Sequence, residues 1–368
     1  TFLTTAHVHR GRAARPECGQ PPTEQMVYVS KNRGVNWEPL SVHAFDPCLA
    51  LCEASMCRLP DGRLLTLFRE NSGVCEPMYA SFSSDRGQTW SEPRPTALVG
   101  HRPTLGTTSD GRLLVTYRCV GPHLSTSAWL GGLDELCGDY QVHGLAPGAD
   151  SPRLDADGLL AANDEGGAAP VRYALRPLTS PVSARAELVV RLHVEEAQEN
   201  ACCVCFGGLW WSVTPGALRP LVPGARRIAI PAGEVELGFS YEPGRVRLRV
   251  NGRTRLRRAA PLDVKARPVI IGNRDTEKGN GGRWRLLVLR LRIDEPRYGG
   301  PDGRRYDWSW TPQDGLPDAW VRRNTLELAD ARGVWGGDMG YSGWCELPDG
   351  SFFCAYHHAE ADDPGYDK

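Results

Sequence analysis

Three Asp-Gly dipeptides set a common register along this 368-residue chain, and the residues that fall on it are ones able to do chemistry. Eight positions before Asp61, Asp110 and Asp349 stand Glu53, Arg102 and Tyr341; eight positions after them stand Arg69, Arg118 and His357. An acid, a phenol, three guanidinium groups and an imidazole are thus far apart in sequence but equivalent by count. Guanidinium groups gathered in one pocket repel each other unless an anion lies between them, and the planar fork of Arg suits a carboxylate gripped through two N–H donors. A phenol, with a pKa near ~10, becomes a nucleophile at neutral pH only when a base takes its proton and cations favour the phenolate. Glu with Tyr in an arginine cluster therefore points to chemistry on, or capture of, an acidic ligand.

The elements that must position these residues are hairpins. CRLPDGRLLTLFR (57–69), TTSDGRLLVTYR (107–118) and CELPDGSFFCAYH (345–357) each place Asp-Gly between apolar runs. That is a strong hairpin signal, expected here as a type I′ turn with positive φ at both central residues. Folding at the turn brings the −8 and +8 positions side by side at the far end. Three such hairpins arranged as propeller blades would gather Glu53, Arg69, Arg102, Arg118, Tyr341 and His357 around one channel. Taken singly these residues have plainer readings: Arg69 and Arg118 as ion-paired side chains, Tyr341 as a packing aromatic, and His357, beside His358, as a wall or surface residue. The shared register carries the case for a site.

A second repeat holds turns. In SSDRGQTW (83–90), and in its looser copy SKNRGVNW (30–37), Asp85 or Asn32 can accept backbone N–H bonds across a tight turn. Gly87 or Gly34 takes the backbone angle other residues resist, and Trp90 or Trp37 packs under the loop. These motifs read as structural.

Runs of four to seven apolar residues between 41 Gly and 29 Pro point to an all-β protein. From 134 to 297 the blade rhythm breaks. ARAELVVRLHV (184–194), ELGFSYEPGRVRLRVNGRTRLR (236–257), RPVIIGNRD (267–275) and GRWRLLVLRLRI (282–293) alternate as strands, with Val246, Leu248 and Val250 on one face and Arg247 and Arg249 on the other. Two such faces packed together make a β-sandwich. The expected division is 1–133 and 298–368 for the blades, with the sandwich at 134–297. Within it, Trp210, Trp211 and Trp284 fit sugar stacking or buried core, the second favoured by the habits of large aromatics.

With 43 basic and 44 acidic side chains, the chain lacks the basic excess of a general nucleic-acid binder. No run approaches the ~18 apolar residues of a membrane span. Of the twelve cysteines, Cys202, Cys203 and Cys205 crowd one strand, and Cys48, Cys52 and Cys57 do not match zinc-finger spacing. They read as free or structural thiols, and no metal or other cofactor is expected.

The Asp boxes, the hairpin ending in Arg69, and Tyr341-Ser342 ahead of Leu347-Pro348-Asp349-Gly350 resemble the sialidase (neuraminidase) superfamily and its BNR-repeat members. The resemblance covers about residues 24–133 and 298–368 and implies a nominally six-bladed β-propeller. The interrupting segment resembles concanavalin-like, laminin-G-type jelly rolls through its Val250-Asn251-Gly252 hairpin and the Ile270-Ile271-Gly272-Asn273 and Gly282-Arg283-Trp284 stretches. By resemblance, Tyr341 is the nucleophile, Glu53 withdraws its proton, Arg69 is the second arginine of a carboxylate-binding triad, and Arg118 or Arg102 supplies the third. The family's Arg-Ile-Pro segment and early acid/base Asp have no counterpart here, and Arg10, Arg12 and Arg15 fit no motif. Roughly 200 residues outside the interruption make four or five blades at ~40–50 residues each, so the expectation is an incomplete propeller from a longer protein. The function implied is retaining exo-hydrolysis of a terminal acidic sugar, with carbohydrate as partner. The alternatives are a same-fold glycosidase acting on an arabinan or uronate, and a non-catalytic Asp-box propeller that binds glycan or protein.

Overall fold

The computed structural model describes residues 1–9, 23–46, 49–71, 77–121, 124–145, 151–163, 170–179, 182–260, 262, 267–276, 280–295, 304–331 and 339–357. Arg10, Arg12, Arg15, Cys48 and His358 lie outside them. The regular secondary structure of the described residues is nearly all strand, as the short apolar runs require. No helix among them is long and apolar enough to cross a membrane. The chain divides into two compact units, 1–140 with 322–368, and 141–321.

The first unit holds four antiparallel sheets. They are built from Phe2–His9, Thr23–Ser30 and Glu38–Phe45; from Leu51–Arg58, Leu64–Glu70, Tyr79–Ser83 and Arg94–Pro95; from Gly100–Thr107, Leu113–Cys119, Ser125–Gly131 and Thr325–Asp330; and from Ser342–Glu346 with Phe352–Tyr356. Leu65, Leu67 and Phe68 of the second sheet are fully buried, which explains an unbroken apolar run in a strand covered on both faces.

The three Asp-Gly hairpins form, but with a different turn from the one expected. Gly62, Gly111 and Gly350 have φ of +90°, +83° and +82°, whereas their aspartates do not enter the left-handed region. Gly62 N–H donates to Leu59 O at 2.9 Å and Leu59 N–H to Arg63 O at 2.8 Å, and the same pair of bonds recurs at Thr108–Arg112 and Leu347–Ser351. This is a type I turn followed by a left-handed glycine, not type I′. The reason is the loop length: three residues separate the paired ends in each hairpin, and a type I turn followed by a left-handed glycine spans that length, with Pro60 and Pro348 fitting its first central position in two hairpins and Ser109 taking it in the third. Each Asp carboxylate then accepts the backbone N–H two residues on, at 3.0, 3.2 and 3.0 Å.

In the Asp-box loop, Asp85 accepts from Gln88 N–H (3.0 Å), Thr89 N–H (2.9 Å) and the Thr89 hydroxyl (2.6 Å), and Ser83 Oγ accepts from Gly87 N–H (2.8 Å). These donors, the Thr89 pair foremost, hold the carboxyl down at about 2. Asn32 makes the matching bond to Asn36 N–H at 2.9 Å. Trp90 Nε1 and Trp37 Nε1 donate to Gly87 O and Gly34 O of their own loops, each at 3.0 Å.

The second unit packs a seven-stranded sheet against an eight-stranded one. Phe206 and Trp211 of one meet Phe239 of the other at 5.9 and 5.4 Å between ring centroids. Trp211 and Trp284 are core, while Trp210 is half-buried with Arg172 5.5 Å over its ring. Val246, Leu248 and Val250 face inward, as their alternation requires. Cys202, Cys203 and Cys205 are buried, and burial pushes the last two up to about 12. The unit runs past residue 297 to 321 because the long strand Gly282–Glu295 continues its pairing with Arg304–Trp310. At its centre Arg176 and Glu295, 2% and 0% exposed, pair at 3.1 Å, and Glu295 also accepts from Thr179 N–H (2.7 Å) and Oγ1 (2.8 Å).

Two consequences can be measured. Glu295→Gln leaves the Arg176 cation buried without its counter-charge and should cost about 3–5 kcal/mol in urea unfolding; a loss below ~1 kcal/mol would contradict this account. In the first unit His43 packs edge-on to Phe68 and Trp90, with neither ring nitrogen hydrogen-bonded among the described residues. Burial pushes its pKa down to about 3, from an unfolded value of 6.5. The unfolded chain therefore binds the extra proton, and the stability present above pH ~6.5 falls by about 1.4 kcal/mol per pH unit towards pH ~3. His43→Phe should recover about 2 kcal/mol of the loss between pH 7 and pH 5; an unchanged slope would show that His43 does not carry it.

Candidate active site

Two residues on the register sit at β-bulges in left-handed backbone. Pairing of Leu51–Arg58 with Leu64–Glu70 shifts between Cys52 and Ser55, and pairing of Gly100–Thr107 with Leu113–Cys119 shifts between His101 and Thr104. At those points Glu53 has φ +44° and Arg102 φ +56°. A bulge re-aims the side chain it carries. Its extra residue also moves the register by one: Arg69 pairs with Cys52 and Arg118 with His101, whereas Tyr341 and His357 face each other directly, His357 N–H donating to Tyr341 O at 2.8 Å.

Neighbouring hairpins are tied edge to edge. Leu105 N–H donates to Ser55 Oγ at 3.0 Å, Thr104 Oγ1 to Ser342 O at 2.6 Å, and Trp344 Nε1 to Thr104 O at 3.2 Å. Gly106 is where the strand lets the Trp344 ring pass, since a Cβ there would lie 2.5 Å from it.

These ties bring Glu53, Arg69, Arg102 and Tyr341 together. The Tyr341 hydroxyl donates to Glu53 Oε1 at 2.9 Å, and Arg69 Nη1 donates to Glu53 Oε2 at 2.7 Å. Arg102 Nε lies 3.7 Å from Oε1, its guanidinium carbon stands 3.9 Å over the Tyr341 ring, and its Nη1 donates to Met339 O at 2.9 Å. Arg69 and Arg102 are 13% and 11% exposed, while Tyr341 is 49% exposed, so the phenol is open to a ligand and its supports are not.

Arg118 is held differently. Its backbone and Cβ lie against Gly340, and its Nη2 donates to Nδ1 of His101 at 2.8 Å. His101 is kept neutral, pushed down to about 3 by burial and then by the charges of Arg69, Arg118 and Arg102. A guanidinium only donates, so Nδ1 accepts. His357 is the outlier: its backbone brackets Tyr341, but its side chain is exposed and, among the described residues, no contact joins it to the cluster. Counting missed His101 and also Asn71, whose Oδ1 accepts from Arg69 Nη2 at 2.7 Å. His101 sits one place off the register because of the bulge, and a bulge leaves no mark that counting from a turn can detect. Among the described residues no group of three His, Cys, Asp or Glu is placed to hold a metal ion.

One carboxylate thus accepts the phenol's hydrogen bond, with one guanidinium over the phenol ring and a second on the carboxylate's other oxygen. That arrangement can lower the cost of forming a phenolate, and the arginines can grip an anion beside it.

Among solved structures, a sialidase is 12% identical over 77% of this chain and 32% of its own, with a TM-score of 0.38. A protein of unknown function from Dyadobacter fermentans is 20% identical over 47% of this chain and 46% of its own (TM-score 0.32), and the sialidase of Trypanosoma rangeli is 11% identical over 73% and 64% (TM-score 0.31). The chain spans less than two thirds of each. No curated protein matches it. The BNR repeat-like domain family matches residues 5–194, more than half of the sequence. On that match, the chain belongs to the BNR repeat-like family.

Proposed function

We propose that this protein is a glycoside hydrolase of sialidase type, acting on a terminal acidic sugar through Tyr341. The observation that carries the reading is the hydrogen bond from Tyr341 Oη to Glu53, on a carboxylate held by Arg69 and beside Arg102. In the reaction Glu53 takes the phenol proton and Oη forms a bond to the anomeric carbon. The glycosidic bond breaks, and the leaving oxygen takes a proton from solvent or an acid. Water then attacks the anomeric carbon and gives up a proton to solvent, and Glu53 returns its proton to Oη as the tyrosyl bond breaks. A neutral phenol approaches an anomeric centre that carries a carboxylate more readily than a second carboxylate would. Arg69, Arg102 and Arg118 are assigned to that substrate carboxylate, and His357 to the wall of the site. The surrounding architecture is read as propeller blades, and the second unit as a concanavalin-like sandwich.

An aryl glycoside, whose leaving phenolate needs no acid, is the substrate of choice for the test. Tyr341→Phe should lower kcat on an aryl sialoside by at least ~10²-fold while binding changes little. Glu53→Gln should lower kcat similarly. An unchanged rate in Tyr341→Phe removes the phenol from the mechanism; turnover of an aryl uronide or arabinoside in place of the sialoside moves the substrate. Wild-type protein that binds the acidic sugar without cleaving any of the three is a glycan-binding propeller. Arg69→Met should weaken binding of the free acidic sugar by about 1.5–3 kcal/mol, the usual worth of a charged hydrogen bond; equal affinity would take Arg69 out of the carboxylate site.

A further inference from the structure

The second unit carries a row of arginines on the solvent face of its eight-stranded sheet. The strands Arg185–Ala197, Val235–Glu242, Arg245–Val250 and Arg253–Ala259 run side by side, with Gly282–Glu295 on the other flank. Their registers place Arg292, Glu187, Ser240, Arg247 and Arg257 in one line across five strands. The adjacent line on the same face runs Arg290, Val189, Gly238, Arg249. A groove of about 270 Å³ runs over Glu187 and Ser240, with Arg247 and Arg249 on one side and Arg292 on the other. At the usual strand spacing its two walls stand about 14 Å apart at the backbone.

Neutralising partners are scarce within these two lines. Arg292 pairs with Asp294 at 3.5 Å and Arg185 with Glu242 at 3.5 Å, and both pairs line the groove together with Glu187, Arg247 and Arg249. Asp307, opposite Arg292 on the neighbouring strand, is taken up by Arg305 at 3.6 Å. Arg247, Arg249, Arg257 and Arg290 make no ion pair among the described residues, and the Nε of Arg247 is buried there without a hydrogen-bond acceptor. Arg247 and Arg257 stand directly opposite one another, a like-charge pairing that destabilises a sheet. An anion in the groove would relieve that repulsion and supply the missing acceptor.

We propose that this groove binds an acidic polysaccharide through its carboxylate or sulfate groups. Glu187 decides the class. It lies in the arginine line with no ion pair among the described residues, and with Ser240 it offers acceptors on the floor. Sugar hydroxyls donate to such groups, whereas the phosphodiester backbone of DNA brings only acceptors. Tyr241, beside the groove, is 1% exposed, so the lining offers no open aromatic face on which single-stranded bases could stack, and it lacks the apolar face that inserts into a bilayer. The site is independent of the Tyr341 chemistry.

The test uses the full chain at low salt with four immobilised probes: polygalacturonate, dextran sulfate, neutral dextran and duplex DNA. Binding to polygalacturonate or dextran sulfate should be at least tenfold tighter than to neutral dextran or to DNA, and the tighter of the two names the anionic group. The double variant Arg247→Gln/Arg249→Gln should lose at least tenfold, with a melting temperature no lower than that of wild type showing that it is folded. Arg191→Gln, on the same face but ion-paired with Glu234 at 2.7 Å, should bind as wild type. Equal binding to neutral dextran, preference for DNA, no binding to either anionic polymer, or equal losses in the two variants would each overturn the proposal.

Discussion

The first unit's site depends on left-handed backbone at two non-glycine residues. In a regular strand Glu53 would point away from the face that its neighbour Cys52 shares with Arg69; the bulge instead turns the carboxylate to meet that guanidinium. Such backbone costs about 1–3 kcal/mol per residue and persists only where the surroundings over-determine it. Here they do. The bond from Leu105 to Ser55 and those from Thr104 and Trp344 lock each hairpin edge against the next, and Arg102 is pinned through Met339. Because the same distortion recurs at the same place in two hairpins, a Glu and an Arg arrive on one side of a Tyr that is 288 residues from the Glu.

Charge explains why the surroundings take the form they do. Three guanidinium groups near one carboxylate leave an excess of positive charge, and a protonated His101 would add to it. Burial and those same cations keep His101 neutral, so that it accepts from Arg118 and orients that arginine. The pocket is thus cationic, with a single carboxylate bound to the phenol. That is a suitable environment for an anionic ligand and for a developing phenolate.

How much of this the sequence revealed varies by feature. The Asp-Gly spacing was enough to pick out Glu53, Arg69, Arg102 and Tyr341 as neighbours, because a hairpin's far end is fixed by counting. It misassigned the turn, since a three-residue loop between the paired ends takes a type I geometry with a left-handed glycine that the Asp-Gly pair alone does not announce. It could not see the bulges, which are set by contacts between hairpins and not by local propensity, and so it passed over His101. His357 was on register and yet faces solvent, because matching count fixes backbone position but not what a side chain meets. In the second unit, alternation alone assigned Val246, Leu248 and Val250 to the core and Arg247 and Arg249 to the outside, whereas the opposition of Arg247 and Arg257 needed the strand register.

The two cationic regions solve the same problem at different depths. Around Glu53 the arginines are nearly buried and already carry protein acceptors, so a ligand must exchange with partners in place, and salt screens the site little. On the outer face of the second unit the arginines are mostly exposed and largely without acidic partners, so their attraction for an anion is long-ranged and weakened by salt over about 8–10 Å. A buried cluster with fixed hydrogen bonds selects one small group in one orientation. An exposed row repeated along two strands suits a polymer that offers many equivalent anions and need not bind in a single register. The chain's near-neutral total charge therefore conceals two local excesses of positive charge, one buried and held by fixed hydrogen bonds and the other exposed.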